Sequence, residues 1–249
     1  MNAPIFFAEA SSISDNSIRL SKTESHHASR VLRLKVGDIA VVVDGLGNAY
    51  RGEMTKVPRS GQVEMRIHSH TRNYGEPNVI LSLASGLSAG HKFDHVIEKG
   101  TELGVKRFVP LITEKAKVKM DDPKRTRSRL NRYEKVALAA MKQCRRSYRP
   151  DISAPILFTD YLNEIDPDSV NLLFHPGSQS KPLDEITLPA GPKRVNLMVG
   201  SESGFSADEV DLARSRGITI ASLGKRILRA ETAGPVVCAL IMGKLGELR

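Results

Sequence analysis

The stretch ITIASLGKRILRAETA, ending at Ala233, gathers Lys225, Arg226, Arg229 and Glu231 around a turn at Gly224. It begins with β-branched strand residues and runs on into the apolar segment Val236–Met242. In open α/β sheets, ligands bind where a strand ends and the following helix begins. Such a loop holds a nucleotide-like cofactor by its backbone and aims a cation at a second substrate. Two other strand ends are built for close approach: His175-Pro176-Gly177 after Val170–Phe174, and Gly200–Gly204 after Val195–Val199. Parallel strands bring all three to one edge of the sheet. One backbone hydrogen bond nets only about 0.5–1.5 kcal/mol, so several loops must converge to hold a ligand.

Other chemistry finds less support. GSESGF, Gly200–Phe205, matches neither the Walker phosphate loop nor GxGxxG. His91 and His95 share a helix face, but no third metal ligand stands at motif spacing. His68 and His70 share a strand face without evident partners, and no His/Asp pair marks Ser201 or Ser203 as a nucleophile. No metal is expected.

The elements that must position these loops come in two blocks. The first reads as short strands and turns. Ile39–Val43 runs into the hairpin signal Asp44-Gly45, and Val63, Met65 and Ile67 share one face. Between them, Ser25–Asp38 predicts a short helix with Ala28, Val31 and Leu32 inward and His26, His27, Arg30 and Arg33 outward. The whole suggests a small RNA-binding β-barrel. The polar turn Thr71–Asn78 sets a domain border, giving domains 1–74 and 75–249.

The second block alternates strands and helices. Val79–Ala84, a helix over His91–Leu103 and the strand Arg107–Ile112 make a parallel unit. Lys115–Arg127 reads as a loop and Ser128–Tyr148 as a helix. Ile156–Phe158, Val170–Phe174, Val195–Val199 and Ile218–Ser222 read as strands. Ser206 with Glu209 is a capping-box signature. A last helix over Thr232–Leu248 is apolar all round from Pro235 to Met242, which predicts burial in its own domain or in a subunit interface.

Charge narrows the partners. The chain has 249 residues, and 37 Lys+Arg against 28 Asp+Glu give a net charge of +9. Lys115–Arg149 alone holds 13 Lys+Arg and 3 Asp+Glu, a local +10. Clustered cations are what phosphate contacts need, so nucleic acid is the expected partner, with Arg145 and Arg146 as candidate contacts. No apolar run is long enough to span a bilayer. Cys144 and Cys238 stand far apart with no CxxC. A reduced, cytoplasmic protein away from membranes is expected.

Taken together, four motifs in order carry a family resemblance: HHASRVLRLKVGD (His26–Asp38), KGTELGV (Lys99–Val105), VGSESGFSADEVDLA (Val199–Ala213) and LGKRILRAETA (Leu223–Ala233). The chain resembles the SPOUT (trefoil-knot) methyltransferases, and among them the RsmE-type 16S ribosomal RNA (uridine-N3) methyltransferases. That resemblance implies a PUA-like β-barrel followed by a trefoil-knotted α/β (SPOUT) domain, although knots are rare in protein chains. It implies S-adenosyl-L-methionine as methyl donor, 16S rRNA in the small ribosomal subunit as substrate, and a homodimer. The cofactor contacts it implies are Leu173, His175, Pro176 and Gly177; Val199, Gly200, Ser201, Glu202 and Gly204; and Ser222, Leu223, Gly224, Ile227, Leu228 and Arg229. Arg229 is then the candidate cation at the target base, with Glu231 and Glu202 the nearest candidate proton acceptors. His26, His27, Arg30, Arg33, Arg145 and Arg146 become the candidate RNA contacts. The chain departs from the family pattern at Gly100, Arg145-Arg146, Ser201, Ser203 and Ala230. The rival readings are an RNA-binding or ribosome-assembly factor that retains the fold without catalysis, and a methyltransferase for another RNA site.

Overall fold

The structure is a computed structural model that describes residues 3–88, 90–116, 122–177, 179–191 and 194–248. Two compact units divide the chain: Met1–Glu76 with Leu138–Arg149, and Pro77–Ala137 with Pro150–Arg249. The expected border at 74/75 is therefore shifted by two residues, and the expected second domain gives up twelve residues, 138–149, to the first unit.

In the first unit, β1 (Ile5–Phe7), β2 (Ser17–Arg19), β3 (Ile39–Val43), β4 (Asn48–Lys56) and β5 (Glu64–Arg72) form one curled sheet in the order β1-β3-β4-β5-β2. Only the β1–β3 pair is parallel. Phe6, Ile18, Leu20, Val42, Met54 and Met65 fill its core. The hairpin expected at Asp44-Gly45 forms, with Asp44 Oδ1 accepting from the backbone of Leu46 at 2.7 Å and of Asn48 at 3.1 Å. The helix α1 (Lys22–His26) is capped by Ser21, whose Oγ accepts from Glu24 N. Residues 27–31 then open into a wider turn, with Leu32 N donating to His27 O. That widening swings the later side chains off the inward face. Ala28 is buried as expected, but Val31 and Leu32 are 61% and 40% exposed.

In the second unit, β6 (Ile80–Gly86), β7 (Val105–Ile112), β8 (Asp151–Ile152), β9 (Ile156–Leu157), β10 (Val170–Phe174), β11 (Lys181–Pro182), β12 (Arg194–Val199) and β13 (Thr219–Ser222) form a sheet in which every pairing is parallel. The order is β11-β13-β10-β12-β6-β7-β8, with β9 also on β7. Alternate residues serve opposite faces. Leu81, Leu83, Phe108, Leu172 and Leu197 pack with α2 (Lys92–Glu102), the middle of α3 (Pro123–Gln143) through Tyr133 and Ala137, and α6 (Ala230–Lys244). Val109, Leu111, Leu173, Met198 and Ile220 pack with α4 (Phe158–Glu164) and α5 (Ala207–Ser215).

Local chemistry sets the boundaries of these helices. α3 starts five residues before the expected Ser128, with Pro123 in its first position and Asp122 Oδ1 accepting from Lys124 N at 2.9 Å. It stops at Gln143, because Arg145 takes a left-handed conformation at φ 66° and Arg146 N turns back to Met141 O at 3.0 Å. Of the loop expected before it, residues 117–121 lie outside the described residues. The strand expected to reach Phe158 ends at Leu157, and Phe158 instead begins α4 and packs its ring, tilted, against Phe205. The capping box of α5 is present in both directions, Glu209 N to Ser206 Oγ at 3.1 Å and Ser206 N to Glu209 Oε2 at 2.8 Å. α6 buries Val237, Cys238, Ile241 and Met242, but Leu240 is 45% exposed, so one side of it is open. Gly100 has its own reason: a Cβ there would lie 2.6 Å from the Phe108 ring, so the ring occupies the space that an alanine methyl would need. No helix among the described residues is long and apolar enough to cross a membrane.

Candidate active site

The parallel register places β13, β10 and β12 side by side, so the loops that follow them meet on one edge. They enclose a cavity of about 300 Å³, the lower end of the ~300–1,000 Å³ of ligand sites. After β10, Phe174, His175 and Pro176 line it. The β12–α5 turn contributes Val199 through Phe205. The last loop contributes Leu223, Gly224, Arg226, Ile227 and Leu228, and α6 adds Ala230 and Ala233. Lys115 lines it from beyond the end of β7. The β12–α5 turn is closed by Gly204 N donating to Ser201 O at 2.9 Å, with Gly204 at φ 68°.

Of the residues expected to hold a cofactor, His175, Pro176, Val199, Gly200, Ser201, Glu202, Gly204, Leu223, Gly224, Ile227 and Leu228 line this cavity. Four do not. Leu173 is fully buried in the core on the opposite sheet face, because adjacent strand residues point opposite ways; its neighbour Phe174 is the one on the pocket side. Ser222 faces a separate hollow with Pro182, Leu183 and Leu240, and Gly177 and Arg229 lie outside the lining. Arg226, one of the cations of the opening stretch, brings charge to the wall, and so does Lys115, which no motif identified. A fourth parallel strand end, at Ile112, was the available signal for Lys115.

The wall mixes apolar surface with polar atoms that lack partners. Ser201 Oγ and His175 Nδ1 are buried with no hydrogen-bond partner among the described residues. Burial, and then the charge of Lys115, holds the His175 imidazole below its ordinary pKa, so the ring is neutral at neutral pH. Glu202 is half-exposed, and its Oε1 accepts from Lys92 Nζ at 2.9 Å. Burial pushes its pKa up, but hydrogen bonds from Lys92, its own backbone and Ser88, with the Lys92 charge, outweigh that and hold it below the usual carboxylate range. Glu202 is thus a weak proton acceptor. Glu231 keeps one buried carboxylate oxygen without a partner. Arg229, at the start of α6, is exposed, and its charge and that of Glu231 both reach Lys92. Among the described residues, neither Glu231 nor Glu202 forms an ion pair with Arg229. An amphiphile of nucleoside size fits this wall, with a cation and an acid–base pair beside it.

The candidate RNA contacts divide. His26, Arg30 and Arg33 are exposed, although Arg30 also donates to Arg59 O at 3.0 Å. His27 is half-buried, edge-on to Phe6. Arg145 is half-buried and reaches Ala3 O and the Tyr74 hydroxyl, each at 3.4 Å. Arg146 is not a surface contact. It is 2% exposed and forks onto Glu76, with Nε–Oε2 at 3.1 Å and Nη2–Oε2 at 2.8 Å. On α3, the exposed cations Lys124, Arg127 and Lys135 line a groove with Ser128, Asn131 and Arg132. Of the histidine pairs, His91 lies 2.8 Å from Asp94 and His70 stacks on Tyr50.

The fold and this pocket define an α/β nucleotide-type binding domain joined to a curled β-sheet unit. Residues 75–242 match the RNA methyltransferase domain family, and residues 20–64 match the RNA methyltransferase PUA domain. Among curated relatives, the chain is 30% identical to the ribosomal RNA small subunit methyltransferase E of Synechocystis, over 92% of this chain and 74% of that one. It is 31% identical to the Bacillus subtilis protein of the same name, over 84% and 83%. Among solved structures, it aligns with a ribosomal RNA small subunit methyltransferase E from Neisseria gonorrhoeae bound to S-adenosyl methionine, at a TM-score of 0.85, 26% identity, and 97% and 98% coverage. A putative methyltransferase from Legionella pneumophila, in complex with SAM, aligns at 0.85, 27% identity and 98% coverage of both chains. The chain belongs to the RNA methyltransferase family, in its ribosomal RNA small subunit methyltransferase E branch. Its fold is accordingly the trefoil-knotted SPOUT α/β domain with a PUA-like unit.

Proposed function

We propose that this protein transfers a methyl group from S-adenosyl-L-methionine to N3 of a uridine in the 16S RNA of the small ribosomal subunit. The observation that carries this reading is the convergence of three parallel strand ends on one cavity whose buried polar atoms, Ser201 Oγ and His175 Nδ1, have no partner among the described residues. The wall suits that cofactor: Phe174, Val199 and Leu223 offer apolar surface to a purine, and Lys115 and Arg226 offer charge to a carboxylate. When bound, the cofactor supplies an electrophilic methyl on a sulfur that departs as a neutral thioether with the C–S electron pair. Ile227, 86% exposed at the cavity rim, covers its outer side. Arg229 offsets the negative charge that spreads over O2 and O4 when N3 loses its proton. Glu231, with its unpartnered oxygen, accepts that proton. The base enters unpaired or flipped, because N3 lies on its pairing edge.

Arg229→Ala is expected to lower turnover by about 100-fold while leaving cofactor affinity unchanged by calorimetry; unchanged turnover would remove Arg229 from the reacting centre. Exposed cations in each unit support RNA contact, Lys124, Arg127 and Lys135 on α3 and Arg30 and Arg33 in the PUA-like unit. Reversing the charge of Lys124, Arg127 and Lys135 together should weaken rRNA binding and flatten its salt dependence by about one unit of slope per lost phosphate contact. A slope equal to that of the unaltered protein rejects the α3 footprint. The protein acts in the cytoplasm as a homodimer, for which the open apolar side of α6 around Leu240 is the supporting feature. The deciding experiment is transfer of labelled methyl from S-adenosylmethionine to small subunits and to naked 16S rRNA, followed by nucleoside analysis. A product other than N3-methyluridine, or no transfer, overturns the reading.

A further inference from the structure

Lys92 occupies a place that helix electrostatics disfavours. It is the first residue of α2, an eleven-residue helix, where a cation opposes the macrodipole by about 0.3–1 kcal/mol. Its side chain does not turn to the acid of its own helix: Asp94 is taken by His91 at 2.8 Å and by Arg132 at 3.1 Å. Lys92 reaches instead to Glu202 in the β12–α5 turn at 2.9 Å, in a pair whose members are 41% and 38% exposed. An ion pair that exposed is worth only about 0–1 kcal/mol to the fold. Local rules broken without a gain in stability mark functional positions. The groups facing Lys92 come from two other segments: Glu202, which lines the cavity, and Arg229 and Glu231 at the start of α6. Ser88, itself buried, supports Glu202 from the same side. Two cations and two carboxylates thus gather beside the pocket, balanced until a substrate charge appears.

We propose that Lys92 is a positioning residue for the methyl-accepting base: it pins Glu202 at the pocket wall and, with Arg229, sets the positive field in which the base loses its N3 proton. This rests on the methylation proposed above. The proton passes to Glu231. The electron pair left on N3 forms the new C–N bond as the donor's C–S bond breaks with its pair staying on sulfur. Pinned by Lys92, Glu202 stays a charged partner rather than a competing base, so one carboxylate, Glu231, is left to take the proton.

The test compares the full-length protein with its Lys92→Met and Lys92→Arg variants. It measures methyl transfer to small subunits across a pH series, cofactor affinity by calorimetry, and Tm. Lys92→Met is expected to lower kcat by about 10-fold or more and to move the rising limb of the kcat–pH profile to higher pH, with cofactor affinity and Tm unchanged. Lys92→Arg should restore most of both. A Lys92→Met variant with the original rate and profile overturns the role, and so does one that loses cofactor affinity in step with its rate. If the unaltered protein labels no rRNA, it is the methyltransferase reading that fails, which separates the two claims.

Discussion

Gly86→Ala is expected to weaken cofactor binding about 100-fold, although Gly86 is not itself among the residues that line the pocket. Gly86 closes β6, the strand beside β12. A Cβ on it would lie 2.2 Å from Ser201 N, 2.7 Å from Gly200 C and 2.8 Å from Ser201 Cα. All three are backbone atoms of the turn that walls the cavity, so no side chain can swing aside. The turn itself must move, and it carries the cavity's Gly200, Ser201 and Glu202. We expect cofactor affinity to fall by about 100-fold, which is about 2.7 kcal/mol, and stability to fall by about 1–3 kcal/mol from overpacking. Gly243→Ala is the control. A Cβ at that α6 position meets nothing within 4 Å, so it should stabilise by about 0.5–1 kcal/mol through backbone entropy and leave affinity unchanged. Calorimetry with S-adenosylmethionine and urea unfolding read both, and full affinity in Gly86→Ala would show that the turn has slack that this structure does not display.

Glu76→Ala should be the most destabilising change in the PUA-like unit. Glu76 and Arg146 are each 3% exposed at the side chain. Besides the fork from Arg146, Glu76 Oε1 accepts from the backbone of Ser147 at 3.0 Å and of Tyr148 at 2.8 Å. Removing the carboxylate takes from the buried guanidinium and from the Ser147 and Tyr148 N–H groups the acceptor that Glu76 provides. The expected loss is about 3–5 kcal/mol, read as a lower urea midpoint. Glu76→Gln keeps an acceptor oxygen for the backbone and should lose less. A loss below about 1 kcal/mol for Glu76→Ala would show that water replaces the carboxylate.

Arg146 also shows where sequence reading has its limit. Thirteen cations in one stretch describe a surface only if each side chain points outward, and composition does not carry direction. The left-handed turn at Arg145 rotates its neighbour inward onto an acid seventy residues earlier, a pairing that no periodicity reports. Val31 and Leu32 went astray for a related reason: helical spacing assumes regular turns, and the wider turn at 27–31 breaks the period. Short-range chemistry was readable. The Ser206–Glu209 box and the Asp44 hairpin follow from contacts a few residues apart, and the strand-helix alternation follows from the apolar periodicity of each segment. So were the three strand-end loops, since small residues after apolar runs mark them. Strand alternation alone would have separated Phe174 from Leu173. Lys92 was not readable, because its meaning lies in a partner 110 positions away.

The strand order has a consequence for synthesis on the ribosome. β10 lies between β12 and β13, and both follow it in the chain. As it emerges, Val170–Phe174 therefore has two open edges and no earlier strand to pair with. Its second neighbour is complete only after roughly 50 more residues, about 2–10 seconds at ordinary elongation rates. An apolar strand bare on both sides for that long is a site for misassembly between nascent chains. Slowing elongation over residues 175–222 should therefore lower soluble yield, and holding the segment on a chaperone should restore it. The same order makes the pocket late: a chain broken off before β13 can pair β10 with β12 and bring two of the three loops together, but it lacks the third.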